Sequence, residues 1–152
     1  MQSQTDRTMA TLQLDTIKDD LSFLDDWEER YRYIIDLGKA LAPLSEAEHS
    51  EASKVRGCAS QVWLVSETSR DADGTPRLTF RGDSDAHIVR GLVALTIALF
   101  SGRTAAEILA TDAPGFFASI GLKDHLTPQR SNGLASMVER IRRDALQAAA
   151  QG

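Results

Sequence analysis

The chain has one cysteine, Cys58, which lies where a polar stretch gives way to an apolar one. A deprotonated thiol is a nucleophile that can enter thiol–disulfide exchange or form a covalent intermediate. Gly57 permits backbone angles that other residues avoid, so a tight turn can project the thiol. Lys54 and Arg56 could favour the thiolate. Cys58 is therefore the first candidate for chemistry, with burial as a small apolar core residue as the alternative.

Three histidines, His49, His87 and His125, could serve this thiol as a general base. A cysteine hydrolase or transferase needs such a base within hydrogen-bond reach of the sulfur. No two of these residues form a recognised local signature, so a dyad would have to assemble through the fold. Structural zinc needs four ligands and an iron–sulfur cluster about four thiolate-type ligands, whereas this chain has one cysteine and three scattered histidines. We therefore predict no metal site.

The composition is typical of one globular domain. The chain has 152 residues, of which 42% are hydrophobic and 26% charged. The net charge of −5 argues against a nucleic-acid partner, because phosphate binding needs clustered Lys and Arg. The N-terminus lacks an apolar signal segment, and the most apolar stretch, 88–100, is too short to span a bilayer. We expect a cytoplasmic protein that binds neither nucleic acid nor membrane.

The N-terminal part predicts helices. Asp15 is a candidate cap for a short helix, and Asp26 opens a second one as part of an Asp-x-x-Glu capping box. Gly38, followed by Pro43, is expected to end this second helix.

The middle of the chain predicts a β-hairpin. Residues 61–66 are β-branched and aromatic, and residues 77–81 alternate polar with apolar. The turn-forming cluster 71–76 separates them. A further strand over 53–56, leading into Cys58, is a weaker prediction.

The remaining pattern is helical. Asp83 or Ser84 is expected to cap a central helix that is apolar nearly all round and runs to about Phe100. Thr104 opens a second capping box, a short helix near Asp112 follows, and an apolar repeat over 134–145 predicts the last helix. The order predicts an α+β fold, with a small antiparallel sheet of about three strands packed against helices.

Four segments resemble the SufE family of sulfur-acceptor proteins. Residues 55–63 resemble its Gly-Cys-x-Ser-x-Val-Trp signature, and residues 82–92 contain its Asp-Ser-Asp-Ala segment. Residues 125–134 resemble its His-Leu-Thr-Pro-x-Arg-Ser-x-Gly-Leu motif, and residues 27–38 resemble its early helix. The resemblance spans nearly the whole chain. It implies a SufE/IscU-like domain over residues 13–148 after a flexible tail over residues 1–12.

The resemblance also implies a mechanism and partners. A cysteine desulfurase of the SufS or CsdA type would hold a persulfide, and Cys58 would take its outer sulfur, stimulate the enzyme and deliver sulfur for iron–sulfur cluster assembly on a SufBCD-type scaffold. Pyridoxal phosphate would belong to the desulfurase, so this chain itself needs no cofactor. The family's cysteine loop rests with its sulfur in an apolar pocket and turns outward on docking.

Three other residues are weaker site candidates. Gly57 could act as the pivot of the cysteine loop. Asp85 could lie in the first turn of the central helix, where a carboxylate favours the helix dipole, or beside the cysteine loop. Arg130 could bind a partner's carboxylate or brace the loop before the last helix. Two alternatives remain beside the hydrolase: a paralogous CsdE-type acceptor serving another desulfurase, and a regulatory module that carries no sulfur.

Overall fold

The computed structural model describes residues 14–122 and 124–151, and the tail predicted for residues 1–12 lies outside them. Helices pack on a small antiparallel sheet, which confirms the predicted α+β class. In chain order the elements are α1 (14–22), α2 (Trp27–Lys39), β1 (Val62–Arg70), β2 (Pro76–Ser84), α3 (His87–Phe100), β3 (Arg103–Thr104), α4 (Ala105–Ala110), α5 (Ala113–Ser119) and α6 (Pro128–Ala150).

The predicted hairpin is confirmed and is longer than expected. Strands β1 and β2 pair antiparallel from Val62 opposite Ser84 to Arg70 opposite Pro76. The third strand of the described sheet is β3, which follows α3 and pairs with the start of β2. The weaker prediction of a strand over residues 53–56 reduces to one isolated bridge between Lys54 and Trp63, because the chain turns away from the sheet directly afterwards.

Helix α3 is the centre of the domain, as predicted, but it begins later than expected. It packs against α2, the sheet and α6, and Val93, Leu95 and Phe100 are fully buried. Neither Asp83 nor Ser84 caps it. Both residues still belong to β2, whose pairing with β1 keeps their backbone extended, and the N-cap is Ala86, which makes no side-chain cap bond.

Helices α2 and α3 touch backbone to backbone. A Cβ atom on Gly91 of α3 would lie 2.2 Å from the carbonyl oxygen of Ile34, and one on Gly38 would lie 2.6 Å from the nitrogen of Gly91. Gly38 lies inside α2, which continues to Lys39, so the expectation that Gly38 ends the helix is wrong. Its missing side chain serves the close crossing of the two helices.

Most of the predicted helix starts are present. Asp26 caps α2 by accepting a hydrogen bond from Glu28 N, and the capping box at Thr104 is complete in α4. Asp112 caps α5. Asp15 is not a cap, because residue 14 is already helical.

The last helix is longer than its apolar repeat indicates. Thr127 caps α6, and Pro128 occupies its first turn, where proline needs no hydrogen-bond partner. The helix therefore starts well before Leu134 and reaches the region of Cys58. No helix within residues 14–122 and 124–151 combines the length and apolar character needed to cross a bilayer.

Candidate functional site around Cys58

Cys58 lies in a short loop whose two ends are hydrogen-bonded to each other. Val55 N donates to the carbonyl oxygen of Val62 at 2.8 Å, and Leu64 N donates to that of Ser53 at 2.8 Å. Residues 56–61, which we term the Cys loop, connect these paired ends. The closed base fixes where the loop starts and ends, and its tip carries the thiol.

The Cys58 side chain borders a cavity of about 230 Å³ between the Cys loop, α3 and the start of α6. The apolar part of its wall consists of Val89, Leu92, Leu134 and Met137, and the polar part of Thr127, Gln129 and Arg130. The thiol is half-buried and unbonded to any other cysteine. This position differs from a packed core residue, because open space lies next to the sulfur.

The resting environment of Cys58 favours the neutral thiol. Its Sγ donates a long hydrogen bond, 3.6 Å, to the carbonyl oxygen of Gly133. Burial raises the pKa of the Cys58 thiol above its ordinary value, because the cavity disfavours the charged form. Arg56 instead pairs with Glu51 at 3.0 Å, with both side chains more than 70% exposed. The expected activation of the thiolate by Lys54 and Arg56 is therefore not seen in this conformation.

Gly57 allows the Cys loop to approach α6 closely. Its φ angle is +88°, in the left-handed region that favours glycine. A Cβ atom at this position would lie 2.6 Å from Oγ of Ser136. Both features agree with the predicted pivot at Gly57, whose part in any loop movement stays a prediction.

Asp85 lies beside the Cys loop rather than in helix α3. The residue precedes the N-cap Ala86, so the prediction of a helix-dipole role in the first turn is wrong. Its Oδ1 accepts a hydrogen bond from Gln61 N at 3.1 Å, and its own N–H donates to the Gln61 carbonyl oxygen at 3.3 Å. Asp85 thus holds the end of the Cys loop that leads into β1.

Arg130 lies in the first turn of α6 and borders the Cys58 cavity. Its Nη1 donates to the hydroxyl oxygen of Tyr31 in α2 at 2.9 Å. This contact braces the first turn of α6 against α2, whereas the structural role predicted from sequence was bracing of the loop before this helix. Binding of a partner's carboxylate by Arg130 stays a prediction.

Three site residues on α6 were not predicted from sequence. Gly133 accepts the thiol hydrogen bond, Ser136 meets Gly57, and Arg140 binds the chain just before the Cys loop. They occupy positions i, i+3 and i+7, which lie on one face of a helix. That spacing was the available signal, but nothing in the sequence says that this face meets the cysteine.

All three histidines lie away from the cavity wall, and His87, the first residue of α3, is exposed. His49 lies 2.9 Å from Asp83 and packs edge-on against Trp63, and the ring of His125 stacks on Trp27. The residues lining the Cys58 cavity include no histidine. The described part of the chain also contains no group of three or more Cys, His, Asp or Glu residues placed to hold a metal ion.

The fold and the site define a class: a small α+β domain that presents one thiol from a short loop beside a cavity. The chain matches the SufE family model, described as an Fe-S metabolism associated domain, over residues 15–145. It belongs to the SufE family, and the predicted resemblance is confirmed.

Named relatives agree with this membership. An uncharacterized SufE-like protein of Rhizobium etli is 60% identical over 132 residues, which cover 87% of this chain and 88% of that protein. One of Rhizobium meliloti is 56% identical over 132 residues, covering 87% of this chain and 94% of that protein. The solution structure of a hypothetical protein from Thermus thermophilus has a TM-score of 0.65 at 21% identity, covering 93% of this chain and 96% of that one. This structural likeness supports the fold.

Proposed function

We propose that the protein accepts sulfur on Cys58 from the persulfide of a pyridoxal-phosphate-dependent cysteine desulfurase, stimulates that enzyme, and delivers the sulfur for iron–sulfur cluster assembly. The observation that carries the proposal is the half-buried thiol beside a cavity of about 230 Å³, in a loop closed at its base. Membership of a family associated with Fe–S metabolism supports the same function.

The transfer step is an exchange between two sulfur atoms. The Cys58 thiolate attacks the outer sulfur of the desulfurase persulfide, a new S–S bond forms on Cys58, and the old S–S bond breaks. The desulfurase thiolate leaves and takes up a proton, while Cys58 has released one. No oxidant or reductant is needed, because the outer sulfur moves with its oxidation state unchanged.

The resting conformation and the reactive one must differ. While Cys58 lies in the cavity, burial keeps its pKa above the ordinary value. The lower thiolate fraction that results protects the sulfur from stray oxidants. Turning the Cys loop outward would return the thiol to water and to the neighbourhood of Lys54 and Arg56. We propose that docking to the desulfurase provides this outward state, and that the cavity shelters the persulfide afterwards.

The partners follow from this chemistry. The donor is a desulfurase of the SufS or CsdA type, which contributes the pyridoxal phosphate, and the recipient is a SufBCD-type scaffold. We place both exchanges in the cytoplasm. A cysteine hydrolase is less well supported, because the cavity walls offer no histidine base to Cys58.

Sulfur uptake can be tested directly by mass spectrometry. The protein is incubated with a cysteine desulfurase and free cysteine, and the peptide containing Cys58 is then analysed without reductant. We expect the added mass of one sulfur atom on that peptide and none when cysteine is omitted. An unmodified peptide under conditions in which the desulfurase itself carries persulfide would contradict the proposal.

The Cys58→Ser variant separates a carrier from a regulator. For a carrier, the variant should lose both sulfur uptake and the stimulation of desulfurase turnover. For a regulatory module, stimulation would persist without the thiol. Binding of the variant to the desulfurase, measured by calorimetry, serves as the control for folding and docking.

A further inference from the structure

The chain segment before Cys58 is fixed to α6 by one side chain. Arg140 Nη2 donates to the carbonyl oxygen of Ala52 at 2.8 Å, and Nη1 donates to that of Lys54 at 3.3 Å. Its Nε lies 3.4 Å from Oδ1 of Asp144, one helical turn further on. All three guanidinium nitrogens therefore have an oxygen partner, and the two side chains are only 17% and 13% exposed.

From this point the segment runs antiparallel to α6 toward the cysteine. Gly57 meets Ser136, one turn before Arg140, and Cys58 Sγ reaches the carbonyl oxygen of Gly133, about two turns before it. The contacts weaken along this direction. A partly buried charged donor holds residues 52–54, whereas the thiol is held by one sulfur hydrogen bond of 3.6 Å.

The other end of the Cys loop is also held, since Asp85 exchanges hydrogen bonds with Gln61. The loop between these two fixed ends has few ties of its own. Arg56, Gly57, Ala59 and Gln61 are all exposed. A segment with firm ends and a weakly held middle opens locally without disturbing its neighbours.

We propose that Arg140 is a positioning residue for Cys58: it fixes residues 52–54 on α6, so that the Cys loop opens about a fixed base and returns the thiol to its cavity. The biological purpose of this positioning rests on the proposed function, whereas its test does not require that function. Without Arg140, residues 53–55 would keep their hydrogen bonds to β1, but the segment would lose its two side-chain hydrogen bonds to α6. The thiol would then be held less firmly in its resting position.

The test measures how often Cys58 becomes accessible. We expect a bulky disulfide reagent, 5,5′-dithiobis(2-nitrobenzoate), to react faster with Cys58 outside the cavity than with the half-buried thiol inside it. Arg140→Met keeps the length of the apolar stem but loses both carbonyl contacts and the ion pair with Asp144. We expect its reaction rate under native conditions to rise about tenfold over the unchanged protein.

Arg143→Met is the matched control. Arg143 lies on the same helix, is exposed, and makes no side-chain hydrogen bond or ion pair within the described residues. The Arg143→Met variant removes the same charge but no hydrogen bond, so the reaction rate of its Cys58 should stay within twofold of the unchanged protein. Equal rates for Arg140→Met and the unchanged protein, or equal increases in both variants, would overturn the inference.

Two further measurements separate positioning from general destabilisation. Arg140→Lys keeps the charge but cannot donate in a planar fork to both carbonyl groups, so it should give an intermediate rate. Hydrogen exchange in Arg140→Met should accelerate in residues 52–60 and not in α3. Faster exchange throughout the chain would reduce Arg140 to a stabilising residue and overturn the proposal.

This experiment uses no desulfurase. If the accessibility of Cys58 depends on Arg140 but the protein takes up no sulfur, the proposed function is contradicted and the positioning role stands. Sulfur uptake together with unchanged accessibility in both Arg140 variants would do the reverse.

Discussion

Two glycines make contacts that a larger residue would disturb, and the contacts differ in what lies on the other side. Gly91 in α3 faces the backbone of Ile34 in α2, where neither partner can move without its helix. Gly57 in the Cys loop faces the hydroxyl group of Ser136, which can rotate about one bond. The first contact is a permanent helix crossing. The second belongs to a loop that can leave its partner and return.

The surroundings of the two glycines reinforce this difference. Around Gly91 the residues of α3 are almost all buried, so any displacement would open the core. Around Gly57 the loop residues are mostly exposed, and displacement would uncover little more than the thiol and its cavity. The same residue type therefore supports rigidity in one region and controlled opening in the other.

Gly91→Ala should give the largest effect. The new methyl group would lie 2.2 Å from a carbonyl oxygen that cannot rotate away, so α2 and α3 must separate. We expect the free energy of unfolding to fall by about 3 kcal/mol, measured by urea denaturation. Gly74→Ala, at a turn position with φ +86° and no atom within 4 Å, is the control and should lose about 1 kcal/mol. Similar losses in the free energy of unfolding in both variants would show that the close crossing of α2 and α3 does not require glycine at position 91.

Gly57→Ala should act on the loop and much less on the whole fold. The left-handed φ strain and the 2.6 Å approach to Ser136 both disappear when the loop opens. Relief of about 1–2 kcal/mol would favour the open state by a factor of about ten, read as faster reaction of Cys58 with a disulfide reagent. Gly74→Ala carries comparable backbone strain away from the thiol and should leave that rate unchanged. A slower reaction in Gly57→Ala would contradict the proposed outward movement.

The pH dependence of Cys58 should give the smallest effect, because the thiol is only half-buried. Burial raises the pKa of Cys58 while the loop is in its resting state. The resting state is therefore fully favoured over the open state at pH values below the pKa of the free thiol. This preference for the resting state is lost as the pH rises through the raised pKa of Cys58 in the folded protein. The loop should therefore open at alkaline pH.

Alkylation by iodoacetamide across a pH series measures this shift. The midpoint for the native protein should lie above that of a peptide spanning residues 54–62, and Gly57→Ala should move it toward the peptide value. A native midpoint at or below the peptide value would mean that the cavity does not govern the thiol.

Much of the fold was predictable because its signals are local. Asp26, Thr104 and Asp112 cap their helices through hydrogen bonds to residues two or three positions further on. The start of α3 was placed wrongly because the pairing of Ser84 with Val62, far away in the sequence, overrides the local preference for a cap. Gly38 was misread for a similar reason, since only its contact with Gly91 explains it.

The site was predictable in part. The single cysteine, its neighbouring glycine and the family motifs singled out Cys58, and the structure places Gly57, Asp85 and Arg130 in or beside its loop and cavity. The hypothesis that nearby cations favour the thiolate does not hold in this conformation. Sequence neighbours do not define an electrostatic environment, and Arg56 pairs with Glu51 while the sulfur lies in a cavity.

The order of residues by itself determined the α+β class, the helix caps at Asp26 and Thr104, the hairpin and the choice of thiol, because each depends on residue type and short spacing. Tertiary structure alone decided that α6 passes along the Cys loop, which brings Gly133, Ser136 and Arg140 to the segment around Cys58. These residues are separated from the cysteine by most of the domain. Only the packing of the whole core determines which helix face they meet.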